Sequence, residues 1–159
     1  MKNYHEKKFP GESDAYREAR NELLEAEINL RKQTEEVAEL RRQLPYSAKL
    51  KEDYLFEEKD VSGKITQTKF SELFEPGKDS LIVYNFMYGP QNEKPCSSCT
   101  SILDGINGMV FHAEQRANIA VIAKTSIDKL MDWAEKRGWK NLHLLSSSGN
   151  TYNADYFGE

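Results

Sequence analysis

Long apolar runs are missing from this sequence, and none approaches the roughly 18 residues a helix needs to cross a bilayer. The stretch from Met1 to Glu12 is charged and holds no apolar core of the kind a signal peptide uses. A strong excess of one charge is missing as well. Lysine and arginine number 22 against 26 aspartate and glutamate, a net charge of −4 that is poorly suited to wrapping a phosphate backbone. The expectations are a cytoplasmic protein with no nucleic-acid partner and no membrane partner. Neither a glycine-rich phosphate loop nor a Ser–His–Asp arrangement can be assembled from the residues, so no cofactor is expected. Cysteine is scarce, with only Cys96 and Cys99. Two cysteines in a reducing compartment point to catalysis, metal binding or inert burial rather than to a structural bridge.

What is present is charge spread over a modest apolar content, 30% charged against 38% hydrophobic in 159 residues. That balance predicts a long solvated helix attached to a smaller cored unit. Ser13 is placed to cap the helix, with Asp14 in its first turn. Tyr16, Ala19, Leu23, Ala26, Leu30, Val37, Leu40 and Leu44 then recur at spacings of three and four, Gln33 filling the gap, until Pro45 stops the run. Glu27 and Arg31 stand in the favourable i,i+4 order. Such a helix is about 45 Å long. It cannot bury its apolar stripe on itself and has to pack along the following domain or against a copy in a second chain.

Beyond it, Tyr54–Phe56 and Lys64–Thr68 read as short strands, with Ser62–Gly63 as the turn before the second. Phe70–Phe74 reads as one helical turn, and Pro76–Gly77 as a break. Leu81–Met87 is a continuous apolar run, predicting a strand buried on both faces. A helix is predicted from Ser97 to Glu114, a second buried strand over Asn118–Ala123, a helix capped by Ser126 and closed by Gly138, and a strand over Leu142–Leu145. Strands alternating with helices predict an α/β unit with a parallel sheet.

Cys96-Ser97-Ser98-Cys99 falls between a predicted strand and a predicted helix. Residues three apart on a helix have Cα atoms roughly 5 Å apart, within the window of a disulfide. The first cysteine, at the helix start, meets unpaired N–H groups that favour the thiolate, and the second is the natural resolving thiol. Lys94 is a nearby cation, opposed by Glu93. A structural disulfide is the bland alternative, closing a four-residue loop for only about 2 kcal/mol. Zinc is another, but His5, His112 and His143 give no second pair at ligand spacing, so no metal site is expected. Two inert core thiols are the third.

Among the remaining polar residues, Asp104 is a proton acceptor for the pair, a residue that orients the helix, or a polar residue on the helix face. Asn107 either bonds backbone near the cysteine loop or is solvated. Gly105 and Gly108 weaken a helix and are expected where another element packs close or the helix bends. His112 reads as a partly buried, satisfied histidine, Tyr84, Phe86, Met87 and Tyr88 as core and rim packing, and Trp133 and Trp139 as anchors.

Phe9-Pro10-Gly11-Glu12-Ser13 with Tyr16-Arg17 and Ala19-Arg20, Asp53-Tyr54 with Phe56, and Tyr84-Asn85-Phe86-Met87-Tyr88-Gly89-Pro90 resemble the bacterial DUF899 family. So do Cys96 and Cys99, Asp104-Gly105, Asn107-Gly108, His112, Gly138-Trp139 and Leu145-Ser146-Ser147. The resemblance runs from residue 9 to the C-terminus. Members are described as thioredoxin-like, predicted dithiol–disulfide oxidoreductases. The resemblance implies a thioredoxin-like α/β fold, a parallel or mixed sheet with flanking helices, preceded by a long N-terminal helix. It agrees with Cys96 as nucleophile and Cys99 as resolving thiol, supported by Ser97, Ser98, Asp104 and Asn107, acting on a disulfide or thiol of a protein or small molecule.

Members run on past Glu159, where thioredoxin-like folds add a β-hairpin, a last helix and a cis-proline loop opposite the cysteines. No proline follows Pro95. The expectation is a helical arm over residues 1–48 and an incomplete thioredoxin-like domain over 49–159, lacking the C-terminal hairpin and last helix. A peroxidase-like use of Cys96 is a variant. The alternative of a different class is a non-catalytic interaction protein that forms a homodimer through its N-terminal helix.

Overall fold

The computed structural model describes residues 4–45 and 49–158. The chain divides into two units, Met1–Lys49 and Leu50–Glu159. The boundary expected after residue 48 touches residues 46–48, which lie outside the described residues.

In the first unit, α1 spans Asp14–Arg42. Ser13 caps it as its residue type dictates, its hydroxyl accepting the Tyr16 N–H at 3.2 Å. The helix ends at Gln43, two residues short of Pro45, because proline crowds the helical conformation of the residue before it. Arg31 pairs forward with Glu35 rather than back with Glu27. The apolar stripe is not covered within this unit: Leu23, Leu30, Val37 and Leu40 are all exposed. The buried residues of α1 are instead polar, Arg17 and Asn21. Arg17 ties down the segment before the helix, donating to the Lys7 carbonyl at 2.7 Å and pairing with Glu12.

The second unit is a mixed α/β fold built on a five-stranded sheet. Its strands are β1 Leu55–Lys59, β2 Ile65–Lys69, β3 Leu81–Phe86, β4 Asn118–Ala123 and β5 Leu144–Ser146, in the order β2-β1-β5-β4-β3. The β3-β4-β5 part is parallel, whereas β1 runs antiparallel to both β5 and β2. The sheet is therefore mixed, because a tight turn through Gly63, at φ 81°, folds β1 and β2 as a hairpin. Phe70–Leu73 forms the expected single turn of 3₁₀ helix.

Between the strands run α2 Ser97–Ala113 and α3 Ile127–Arg137, and α4 Tyr152–Asp155 follows β5. Ser126 caps α3 by accepting the Lys129 N–H, and Gly138 ends it at φ 71°, the left-handed conformation that favours glycine.

The pleat sends alternate residues to opposite faces, so two cores form. Val121 and Ala123 of β4 join Phe86, Leu103, Leu130 and Trp139 on the α2–α3 face. Ala120 and Ile122 join Tyr54, Phe56, Leu73 and Tyr152 on the other. That second face is aromatic, with Tyr152 edge-on to both Tyr54 and Phe56 at centroid distances of 5.4 Å.

Four expectations are corrected. The β3 strand lies at the sheet edge rather than buried on both faces, and Ile82 is 53% exposed. An apolar run fits either position, and only the pairing decides. The β5 strand begins two residues later than expected, and α4 was not anticipated at all. His112 is exposed on the last turn of α2 rather than partly buried. Gly105 and Gly108 are exposed with nothing within 4 Å of where a Cβ would sit, so no element packs on them. Their replacement by alanine removes only backbone freedom. Gly105→Ala and Gly108→Ala are each expected to stabilise the protein by about 1 kcal/mol, read as a raised urea midpoint at unchanged slope.

Asp155 joins α4 to the start of this unit. Lys51 approaches it at 2.7 Å and the Tyr54 hydroxyl donates to it at 2.9 Å. The Lys51 ammonium first, then the Thr151 and Tyr54 hydroxyls, outweigh burial and hold its carboxyl down to about 2. A carboxylate depressed below its unfolded value stabilises fully above about pH 5, and that contribution is lost as pH falls toward about 2. Asp155→Asn is expected to flatten the acid side of the stability profile between about pH 4 and 2, measured by urea unfolding across pH.

Candidate functional site

The C-terminal end of β3 delivers the chain to a loop that returns at Cys96. Backbone bonds hold that cysteine from both sides. Its N–H donates to the Met87 carbonyl at 3.1 Å, and its carbonyl accepts the Thr100 N–H and the Thr100 hydroxyl, each at 3.0 Å. The intervening loop is stapled from α3. The Lys129 ammonium donates to the carbonyls of Pro90, at 3.1 Å, and Asn92, and stands 5.1 Å from the Tyr88 ring centroid. Pro95 and Tyr88 are buried, so the approach to Cys96 is packed rather than loose.

Cys96 is the N-cap residue of α2 and Cys99 lies one turn in, and both thiols are free and half-buried. The nearby Cys99 N–H first, then the Cys99 thiol and the Ser98 N–H, hold the Cys96 pKa below the ordinary thiol value against the opposing effect of burial. These N–H groups are among the donors that any helix start leaves open, and the Cys96 side chain makes no capping hydrogen bond to them. Ser97 and Ser98 are exposed, and Ser98 contributes through its backbone.

The other two expected supporting residues lie on the same helix but serve another purpose. Asp104 accepts from the Trp139 indole N–H at 2.8 Å and pairs with Arg137. Asn107 accepts the N–H groups of Lys140 and Asn141 at 3.1 and 3.0 Å. Both bind the connection from α3 to β5, not the cysteine loop. They are anchors for α2. Trp139 is the buried anchor that its residue type suggested, while Trp133 is half-buried.

A family model described as a bacterial protein of unknown function, DUF899, matches residues 6–158. The chain belongs to that family. Neither a curated protein nor a solved structure matches it.

One residue of the site comes from outside the predicted set. Tyr84 reads in the sequence as packing, and it does pack against the same core cluster as Cys99. Burial, then the neighbouring Cys99 thiol and the charges of the two cysteines, push its phenol up to about 12. The local sequence gives no mark of this, because an aromatic residue in an apolar strand looks like core. The alternation along β3 is the one signal that places it on the helix-bearing face, in step with Phe86.

Among the described residues no group of three His, Cys, Asp or Glu could hold a metal ion. Nor is any helix among them long and apolar enough to cross a membrane. Removing the Asp104 anchor tests its assignment: Asp104→Ala is expected to cost about 1–3 kcal/mol of stability, measured by urea unfolding, while leaving the rate of Cys96 alkylation unchanged.

Proposed function

We propose that the unit Leu50–Glu159 is a thioredoxin-like dithiol–disulfide oxidoreductase working in a reducing cytoplasm, with Cys96 as nucleophile and Cys99 as resolving thiol. The observation that carries this reading is the place of Cys96 at the N-cap of α2 with Cys99 one turn in, where the thiol is held below its ordinary value in the direction that favours the nucleophilic thiolate. The parallel strands, the cysteine pair at the start of α2 and the membership of the family agree with it. The substrate is a disulfide of a protein or small molecule, because a half-buried sulfur at a helix start can be reached by an extended sulfur-bearing chain.

The exchange runs in two steps. Cys96 thiolate attacks one sulfur of R–S–S–R′, forming a Cys96–SR mixed disulfide and releasing R′S⁻. Cys99 then attacks the Cys96 sulfur, closing the intramolecular disulfide, and RS⁻ leaves with the proton that Cys99 gives up. Two electrons pass from the pair to the substrate.

Alkylation across pH tests the first step. Cys96 in a Cys99→Ser background is expected to titrate below the free-thiol range, and this variant should accumulate a mixed disulfide with a model disulfide. Cys96→Ser is expected to abolish exchange. A Cys96 that alkylates no faster than a free peptide thiol overturns the reading.

A second reading concerns the first unit, and the exposed stripe of α1 favours it. Tyr16, Leu23, Leu30 and Val37 recur at intervals of seven, with Ala19, Ala26 and Leu40 offset by three, the a and d pattern of a two-stranded coiled coil. We propose a homodimer through this seam, for which the unit Leu50–Glu159 need only be a scaffold. Sedimentation is expected to report a dimer that the double substitution Leu23→Lys and Leu30→Lys makes monomeric. A monomeric parent protein overturns it.

A further inference from the structure

We propose that the outer edge of β3 is a docking strand: an extended, apolar segment of a protein disulfide pairs with its backbone and delivers a cysteine to Cys96. The inference rests on the oxidoreductase reading of the cysteine pair and narrows its substrate to a polypeptide.

β3 is the last strand of the sheet, and among the described residues it pairs on one side only, with β4. The Asn118 N–H donates to the Ser80 carbonyl at 2.8 Å, which fixes the phase of that ladder. In a parallel pair, alternate residues turn both backbone groups to the same neighbour. Ser80, Ile82, Tyr84 and Phe86 therefore turn theirs to β4, and Leu81, Val83 and Asn85 turn theirs outward. Among the described residues no backbone hydrogen bond meets those outward groups. The next outward carbonyl in the series is that of Met87, and it accepts the Cys96 N–H at 3.1 Å. Cys96 thus stands where a neighbouring strand would stand, directly past the open stretch.

The wall above this edge is apolar. Leu103 points from α2 into the core. With about 100° of turn per residue, Asp104 and Asn107 lie to one side of Leu103, where they bind the α3–β5 connection. Ile102, Ile106 and Met109 lie to the other side, above β3. Ile102 and Met109 are 50% and 49% exposed. Ile82 is exposed as well, and the pleat puts it on the same face as Tyr84 and Phe86, the face that α2 covers.

The two features agree on one occupant. An open ladder calls for a partner with free N–H and C=O groups in extended form, which a small-molecule disulfide lacks. The apolar strip beside it receives alternate side chains of such a segment. About five extended residues, roughly 15 Å, cover the open stretch, and the residue that follows meets Cys96. A ladder this short, ending at a nucleophile, suits a segment that departs after exchange rather than a permanent sixth strand.

Two kinds of disulfide with one leaving group separate docking from chemistry. The reference is the thionitrobenzoate mixed disulfide of N-acetylcysteinamide. The probe is that of a seven-residue valine–threonine peptide, with its cysteine at one end or the other to allow either strand direction. Cys96 of the reduced full chain attacks the peptide sulfur, and thionitrobenzoate leaves as the thiolate. The better peptide is expected to react at least tenfold faster than the reference, and N-methylation of alternate peptide amides should remove that advantage. Val83→Pro deletes one outward N–H and spares the β4 ladder, and Ile82→Lys places a charge on the apolar strip. Each is expected to bring the ratio of peptide to reference rates down to within about threefold of one.

Equal rates in the parent, or a ratio that a folded variant leaves unchanged, overturns the docking role. Release from both disulfides no faster than with a free peptide thiol overturns the oxidoreductase reading, and the inference with it. Hydrogen exchange reads the pairing without turnover. In the Cys96→Ser, Cys99→Ser chain, the Val83 and Asn85 amides are expected to exchange fast, and at least tenfold more slowly with a saturating peptide whose cysteine is replaced by serine. Ile82 and Tyr84 should be slow in both states. Val83 and Asn85 amides that the peptide leaves fast overturn the proposal, as do amides already slow without it, which would show the edge taken by a second copy.

Discussion

Every residue of β4 is buried, and the unit Leu50–Glu159 is organised by what that burial requires. A strand inside a protein cannot leave its N–H and C=O groups unpaired, so both edges of β4 must be filled by neighbours. β3 fills one edge in parallel register from Leu81–Asn118 to Phe86–Ala123, and β5 fills the other. The entry to β4 is closed by Asn118, whose side chain accepts the Glu75 N–H and donates to the Ser80 carbonyl. Parallel neighbours need crossovers, and the crossover from β3 to β4 is α2. The start of α2 must then lie beyond the C-terminal end of β3, where the cysteines are. The chemistry of the site is thus downstream of a strand that contains no reactive residue.

At the site itself, local backbone geometry does what charge was expected to share. Lys94 and Glu93 are exposed in the loop, and the sulfur of Cys96 takes its stabilisation from N–H groups fixed by the helix. Those donors are set by the position of Cys96 as N-cap, which follows from its backbone bonds to Met87 and Thr100. A surface lysine is screened and mobile, whereas a helix start is rigid and already oriented.

Much of this architecture is legible in the sequence because it depends on local rules. Ser13 and Ser126 mark helix starts through their own hydroxyls, Gly138 marks an end through its backbone freedom, and Asn118–Ala123 is apolar because it is enclosed. The cysteine pair is marked as a candidate by its spacing together with its place between a strand and a helix. What was not legible depends on pairing across the fold. The edge position of β3 is decided by which strand lies beside it, and the exposure of Ile82 follows. The partners of Asp104 and Asn107 lie more than thirty residues away. The place of Tyr84 was hidden for the same reason, since it packs where a strand face meets a helix.

The anchors on α2 bear on how the molecule breathes. Asp104 and Asn107 fasten the middle of the cysteine helix to Arg137, Trp139, Lys140 and Asn141, so the helix cannot lift from the sheet without also releasing the α3–β5 connection. Opening the reactive end is thereby coupled to disruption of the main core. The amides of α2 belong with the slowly exchanging, cooperative part of the molecule rather than with a fluctuating surface segment. Under the proposed exchange, a partner sulfur comes to a site that holds still.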